Sequence, residues 1–218
     1  LNDSGDCNID VNCPLGIGWE NQIRSVAMIV VGGSGICSGA LINNTCDDGT
    51  AYFLTADHCL GGANVGANLN WAFRFNWKSP PGTESCATTT GSTDPGTPYD
   101  QTAYGATVLV QGTEADHALL QIDNMTLTDA QSWNVFYAGW NNDDTDGLIT
   151  QATGIHHPSG DLMKICREDD APFHNNSAGA DVWYINSWEQ GVTEPGSSGS
   201  PLFDQNGRII GQLYGGLA

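Results

Sequence analysis

"GVTEPGSSGSPLFDQNGRIIGQLYGG", residues 191–216, places Ser197, Ser198 and Ser200 among glycines and just before Pro201. Side chains this small remove little apolar area from water and build no core. The stretch is therefore either a tight turn presenting one hydroxyl, with glycine where the backbone needs positive φ, or a flexible surface loop. The first reading needs partners elsewhere in the chain. A serine hydroxyl becomes a nucleophile only when an imidazole takes its proton and a carboxylate fixes the imidazole's tautomer.

Both partner types occur at strand-like boundaries. In "LTADHC", His58 closes an apolar run beside Cys59; in "EADHALLQI", Asp116 opens one, with Leu119 and Leu120 behind it. Either residue alone reads as an ordinary surface, turn or cap residue. With the serine turn they supply base, orienting acid and nucleophile, in the chain order His, Asp, Ser that belongs to one fold of serine hydrolase.

The rest of the chain reads as all-β. The short apolar runs are "RSVAMIVV", "CSGALI", "AYFLTA", "NWAFRFNW", "ATVLVQG", "HALLQI", "VFYAGW", "DVWYINSW", "SPLFD" and "RIIGQLYGG". Clusters of Gly, Asn, Asp, Pro and Ser separate them, and these are turn formers. There is no internal repeat or long helical period, so an antiparallel barrel or sandwich is expected, in two lobes of about a hundred residues each. Ser79 to Gln101 reads as one long loop, and residues 156–180 as irregular.

Charge and cysteines narrow the function. Twenty-five acidic residues against six basic ones give a net charge of −19. That argues against nucleic-acid binding, which neutralises phosphates with Lys and Arg; the charge reads first as solubility, as in a salty or cold habitat, and second as a field that attracts cationic substrates. The longest aliphatic run, Val26 to Val31, is too short to cross a bilayer. Leu1 is not an initiator Met and no signal peptide is visible, as in a processed chain. Seven cysteines, none in a C-x-x-C pair, fit a disulfide framework in an oxidising compartment, with one left over. "NNDDTD" (141–146) lacks the spacing of a calcium loop and reads as a solvated turn, and the adjacent His156 and His157 lack spaced ligand partners. No metal and no cofactor is expected.

"FLTADHC", "ADHALL" and "GSSGSPLF" resemble, in order, the histidine, aspartate and serine motifs of the two-barrel serine proteases related to chymotrypsin. More narrowly, "ALINNT", "YFLTADHC", "FYAGW", "IHHP" and "GVTEPGSSGSPLF…GQLYGG" resemble the bacterial secreted lysyl endopeptidases of the Achromobacter protease I type. The resemblance covers nearly the whole chain. It implies one peptidase unit of two antiparallel six-stranded β-barrels, the first over about residues 20–100 and the second over 101–218, with the last part of the second missing.

The same resemblance assigns roles. Ser198 is the nucleophile, His58 the general base and Asp116 its orienting acid, with the amides of Gly196 and Ser198 forming the oxyanion hole. Gly196 and Gly199 allow the strained backbone; Ser197 and Ser200 are packing residues. Many relatives carry an aspartate just before the nucleophile to bind a new N-terminus. Ser197 cannot form that ion pair, so activation works by uncovering the cleft or through another contact. Asp57 departs from the usual small residue and is expected to face solvent. Tyr214, Gly215 and Gly216 are expected to pair with the substrate backbone.

Trypsin-like enzymes carry a specificity acid six residues before the nucleophile; here that position is Val192. In lysyl endopeptidases the acid follows the Gly-Gly pair, beyond Ala218. The resemblance implies the disulfides Cys37–Cys59 and Cys13–Cys86. It leaves Cys46 and Cys166 to pair with each other, and Cys7 to bind a second chain or C-terminal segment. The expected protein is a secreted bacterial serine endopeptidase acting on polypeptides, with cleavage after lysine implied by the resemblance and cleavage after arginine or a small apolar residue as runners-up. The alternatives are a catalytically silent homologue that binds peptides or proteins, and an acidic adhesion module on a protease scaffold.

Overall fold

The computed structural model describes residues 4–80, 82, 86, 101–143, 145, 147–177 and 179–216. After a two-residue strand, β1 (Ile9–Asp10), and a one-turn helix, α1 (Glu20–Ile23), come β2 (Val26–Val31), β3 (Gly35–Ile42), β4 (Tyr52–Ala56), β5 (Asn68–Phe75), β6 (Thr102–Gly112) and β7 (His117–Ile122). These six close into an antiparallel barrel in the order β2-β3-β4-β7-β6-β5. Alternation drives the closure: in β5, Leu69, Trp71, Phe73 and Phe75 are buried, while Asn68 and Asn70 are exposed.

The barrel's extent corrects the expected division at residue 100. β6 and β7 lie beyond that point, yet they complete the first barrel, because without them β4 and β5 would each present an unpaired edge. The core is aromatic. Phe53 meets Phe73 edge-on with centroids 5.0 Å apart, and Phe75 at 6.3 Å. Gly39 makes room for this packing, since a Cβ there would lie 2.3 Å from the Phe53 ring.

A capped helix, α2 (Leu127–Ser132), leads into the second half. There, β8 (Ala152–His156), β9 (Lys164–Glu168), β10 (Phe173–Ser177), β11 (Ala180–Tyr184), β12 (Pro201–Asp204) and β13 (Ile209–Gln212) follow. Among the described residues they form a five-stranded antiparallel sheet, β1-β9-β8-β12-β13, and a separate β10–β11 hairpin. The expected second six-stranded barrel is thus an open sheet here, whose edges β1 and β13 do not pair with each other. Ile155, Met163, Ile165, Phe203 and Ile209 make its core, which continues into Val26 and Ala40 of the barrel.

Two strands lie where an irregular stretch was expected. β9, "KICRE", carries charged residues at buried positions, which hid its strand character: Lys164 sits 3.6 Å from Asp10 and 3.9 Å from Asp161. "VFYAGW" is conversely not a strand. It makes only isolated bridges, Ala138 to Ile42 and Trp140 to Ile209. The expected loop from Ser79 to Gln101 falls mostly outside the described residues. No helix among the described residues is long and apolar enough to cross a membrane.

Cys13–Cys86 and Cys37–Cys59 are bonded. The expected Cys46–Cys166 bridge is corrected, for both thiols are free. Cys166 is sealed inside the second sheet, with its Sγ 3.7 Å from the Gly154 carbonyl, whereas Cys46 is exposed after β3. A disulfide would need their Cα atoms within about 7 Å. Cys7 is exposed and free.

Because Phe73 is fully buried at the centre of the aromatic cluster, Phe73→Ala is expected to cost about 3–5 kcal/mol of stability. Urea denaturation measures it, with Phe73→Leu retaining most of the wild-type value.

Candidate active site

Strand pairing brings the first two residues together. Ala56, the last residue of β4, pairs with His117, the first of β7. The chain beyond Ala56 turns through a 3₁₀ segment, Asp57–Leu60, while Asp116 occupies the turn before β7 at φ +50°. Asp57 N–H donates to the Asp116 carbonyl at 2.8 Å, and His58 N–H donates to Asp116 Oδ1 at 2.8 Å. His58 Nδ1 then lies 2.6 Å from Asp116 Oδ2. An ionised carboxylate only accepts, so Nδ1 carries the proton and Nε2 presents its lone pair outward. Asp116 is 3% exposed, and the histidine is open to solvent. Asp57, expected to face solvent, is half-buried, with Oδ1 enclosed and unpartnered.

The serine turn docks onto the same end of the barrel. Ser38 N–H donates to the Ser198 carbonyl at 2.8 Å, and Ser38 Oγ donates to the Gly196 carbonyl at 2.9 Å. Cys37–Cys59 ties this part of β3 to the segment carrying His58. Cys59 Sγ lies 3.9 Å from the Ser198 carbonyl. Gly196 and Gly199 adopt φ +96° and +79°. Gly199 is doubly constrained, because a Cβ there would sit 2.3 Å from Thr55 Oγ1.

Among the described residues the amides of Gly196 and Ser198 have no hydrogen-bond partner, whereas Ser197, Gly199 and Ser200 donate to Glu194, Leu213 and Ser197 carbonyls. Two N–H groups therefore flank the Ser198 hydroxyl, unclaimed by the fold. That hydroxyl also has no hydrogen-bond partner among the described residues. The structure thus pairs His58 with Asp116 and anchors Ser198 beside them without a serine–imidazole bond.

Sequence reasoning missed what holds this turn. The Glu194 carboxylate accepts from Gly5 N–H at 3.0 Å and from Asn8 Nδ2 at 2.8 Å. Ser197, fully buried, accepts from Glu194 N–H at 3.2 Å and lies 2.8 Å from His156 Nδ1. An N-terminal arm thus grips the turn through a side-chain acid three residues ahead of Ser197. The only signal was a glutamate inside "GVTEPG", where a turn needs none. Gln212 was missed too: its Nε2 donates to the Asp116 carbonyl at 2.8 Å, bracing the Asp116 turn from the second sheet.

Leu213 exchanges backbone bonds with Gly199 and Ser200, at 2.9 and 2.8 Å. The chain then runs through Tyr214, Gly215 and Gly216, all exposed, and a Cβ at either glycine would meet nothing within 4 Å. This leaves an open backbone beside the serine turn. Val192, half-buried, carries no charge toward a cation.

The model of the family "Lysyl endopeptidase, C-terminal domain" matches residues 1–218. A lysyl endopeptidase of Pseudomonas aeruginosa is 29% identical over 98% of this chain, which spans 45% of that relative's length. Among solved structures, Deg5 aligns with a TM-score of 0.56 at 13% identity, covering 90% of this chain and 82% of that one. The inactive Ser343Ala form of Rv3671c from M. tuberculosis H37Rv gives 0.53 at 17% identity, over 95% and 80%. The HtrA-type protease AlgW with tripeptide gives 0.53 at 18%, over 87% and 50%. At these identities the structural likeness is one of fold.

His156 and His157, both fully buried, predict a pH response. Burial pushes the His156 imidazole down to about 3, helped by the neighbouring His157 ring and the Lys164 charge. Burial likewise pushes His157 to about 4, against the opposing pull of Asp161. Both are neutral in the fold, whereas the unfolded chain binds their protons below about pH 6.5. Stability therefore falls as pH drops below about 6.5, by up to about 2.7 kcal/mol per pH unit with both histidines titrating. Urea midpoints between pH 7 and 5, above the usual carboxylate range, are expected to decline steeply; a flat profile contradicts neutral burial.

Proposed function

The chain belongs to the lysyl endopeptidase C-terminal domain family, and from that premise we propose that it is a serine endopeptidase working through Ser198, His58 and Asp116. The observation that carries this reading is the 2.6 Å contact between His58 Nδ1 and Asp116 Oδ2, which leaves Nε2 as a base beside the glycine-rich turn. His58 takes the Ser198 proton as Oγ attacks the scissile carbonyl and returns it to the leaving amine. Asp116 holds the tautomer and stabilises the imidazolium. The unpartnered amides of Gly196 and Ser198 are suited to receive the oxyanion, each such donor being worth about 3 kcal/mol in the transition state. A serine–imidazole bond that forms only with substrate bound fits this class, since catalytic hydrogen bonds are often long without ligand.

Substrate backbone would pair along Tyr214, Gly215 and Gly216, in the manner of an added strand. Cleavage after lysine is the specificity we assign. The net charge of −19 supports it by attracting cationic chains, though Val192 does not provide a counter-ion. The open five-stranded sheet is read as the second lobe of the two-barrel architecture, with β1 and β13 as edges where further strands would pair. Two disulfides support an oxidising, extracellular setting. The exposed Cys7 thiol supports a disulfide to another polypeptide segment.

Glu194 takes a positioning role in this reading. Its grip by Gly5 and Asn8 is the other contact through which the turn is ordered, in place of the ion pair Ser197 cannot make.

A fluorophosphonate probe is expected to label the wild-type chain, and Ser198→Ala to abolish labelling while leaving the fold intact. Asp116→Asn is expected to lower kcat by about 10⁴. Glu194→Ala removes a charge-assisted bond of about 1.5–3 kcal/mol, so labelling slows by about tenfold or more with KM little changed. Digestion of a defined protein mixture reads the specificity; cuts without lysine enrichment remove that assignment. Electrophoresis without reductant is expected to show Cys7 cross-linked, and a freely titrating Cys7 thiol contradicts it.

A further inference from the structure

Outside the triad, three carboxylates converge on the second sheet. Glu168 ends β9, Asp170 follows two residues later, and Glu189 stands across from them. Their juxtaposition is enforced by the backbone: Arg167 and Gln190 exchange both hydrogen bonds, at 2.8 and 3.2 Å, placing their neighbours Glu168 and Glu189 side by side. One oxygen from each of the three acids lies within 4.8 Å of the others. We propose that Glu168, Asp170 and Glu189 bind a hard divalent cation of the calcium class.

Several features favour a ligand over a solvated acidic patch. Glu168 is only 5% exposed, and its Oε2 is buried with no hydrogen-bond partner. A buried carboxylate oxygen without a partner is costly, and burial together with the Glu189 and Asp170 carboxylates pushes the Glu168 pKa up, a strain that a cation would relieve. The two glutamates are also oriented. Asp170 N–H donates to Glu168 Oε1 at 3.1 Å, and Asp169 N–H donates to Glu189 Oε2 at 2.6 Å. This fixes both carboxylates through one oxygen each and leaves Glu168 Oε2 unclaimed.

Among the described residues no ion pair includes any of the three acids, and Arg167, their nearest basic neighbour in sequence, is engaged by Asp169.

The spacing fits calcium. Three carboxylate oxygens within 4.8 Å of one another can converge on one ion; calcium tolerates the irregular geometry of such a set, whereas magnesium demands a near-ideal octahedron at about 2.0–2.1 Å. Calcium takes about six to eight oxygens, so three carboxylates need supplementing. Glu168 and Asp170 line a cavity of about 300 Å³, with Asn186 and Ser187 on its wall. The cavity has room for water, and those two side chains supply neutral oxygens. A bound ion would fasten the end of β9 to the segment that leads from Glu189 into the serine turn.

The test is calorimetric titration of the chelator-treated full chain with CaCl₂. One saturable event is expected, with a dissociation constant of about 10⁻⁴–10⁻³ M, typical of extracellular calcium modules. The melting temperature should rise with CaCl₂ concentration by mass action, and MgCl₂ should bind more weakly. Glu189→Gln, at an exposed position, is expected to weaken binding at least about tenfold with an unchanged circular dichroism spectrum. Glu168→Gln should do the same. Asp143→Asn, in the separate acidic run, should bind as wild type. The proposal is overturned if wild type takes up no calcium saturably, if Glu189→Gln binds as wild type, or if Asp143→Asn alone removes binding. Every readout is independent of peptidase activity, so an inert enzyme would leave the outcome legible.

Discussion

The pairing of Ala56 with His117 is the constraint on which the site depends. It belongs to barrel closure, not to catalysis, yet it decides how far the chain can carry His58 from Asp116. Two residues past the β4 end and one residue before the β7 start, the side chains meet with little room for alternatives. Buried faces fix the register: a one-residue slip would turn Phe53, Ala118 and Leu120 out of the core. The aromatic packing around Phe53 therefore helps set the geometry of the His58 imidazole.

The serine turn has a different kind of support. Ser38 joins it to the barrel, Leu213 to the second sheet, and Glu194 to the N-terminal arm. Each anchor ties the turn to a distant piece of chain. Glycine at 196 and 199 permits the conformation without selecting it, and selection comes from three surrounding pieces of chain. Gln212 adds a brace from the second sheet to the Asp116 turn, so both lobes help hold the acid.

The legibility of the sequence follows the kind of physics each part uses. Alternating strands such as Asn68–Phe75 were readable because apolar burial on one face leaves a two-residue period. β9 was hidden because Lys164 and Glu168 are buried among polar partners, a pattern that looks like loop. The barrel boundary near Ile122 was hidden because closure is a property of all six strands together, not of any one. His58, Asp116 and Ser198 stood out through motif and order. Glu194, Ser38 and Gln212 did not, since their roles depend on which distant backbone group they reach. The Cys46–Cys166 pairing failed for the same reason: elimination among cysteines ignores that one lies in the sheet interior and the other on the surface.

The pairing of β1 with β9, Ile9 against Ile165, has a consequence for timing. A ribosome releases the arm long before the strand it must join, and contacts so far apart in sequence are closed late and slowly. Until that docking occurs, Gly5 and Asn8 have no carboxylate to hold, and the segment around residue 194 lacks one of its anchors. In a nascent chain the serine turn would therefore take its final shape only after every segment from β1 to β13 has emerged.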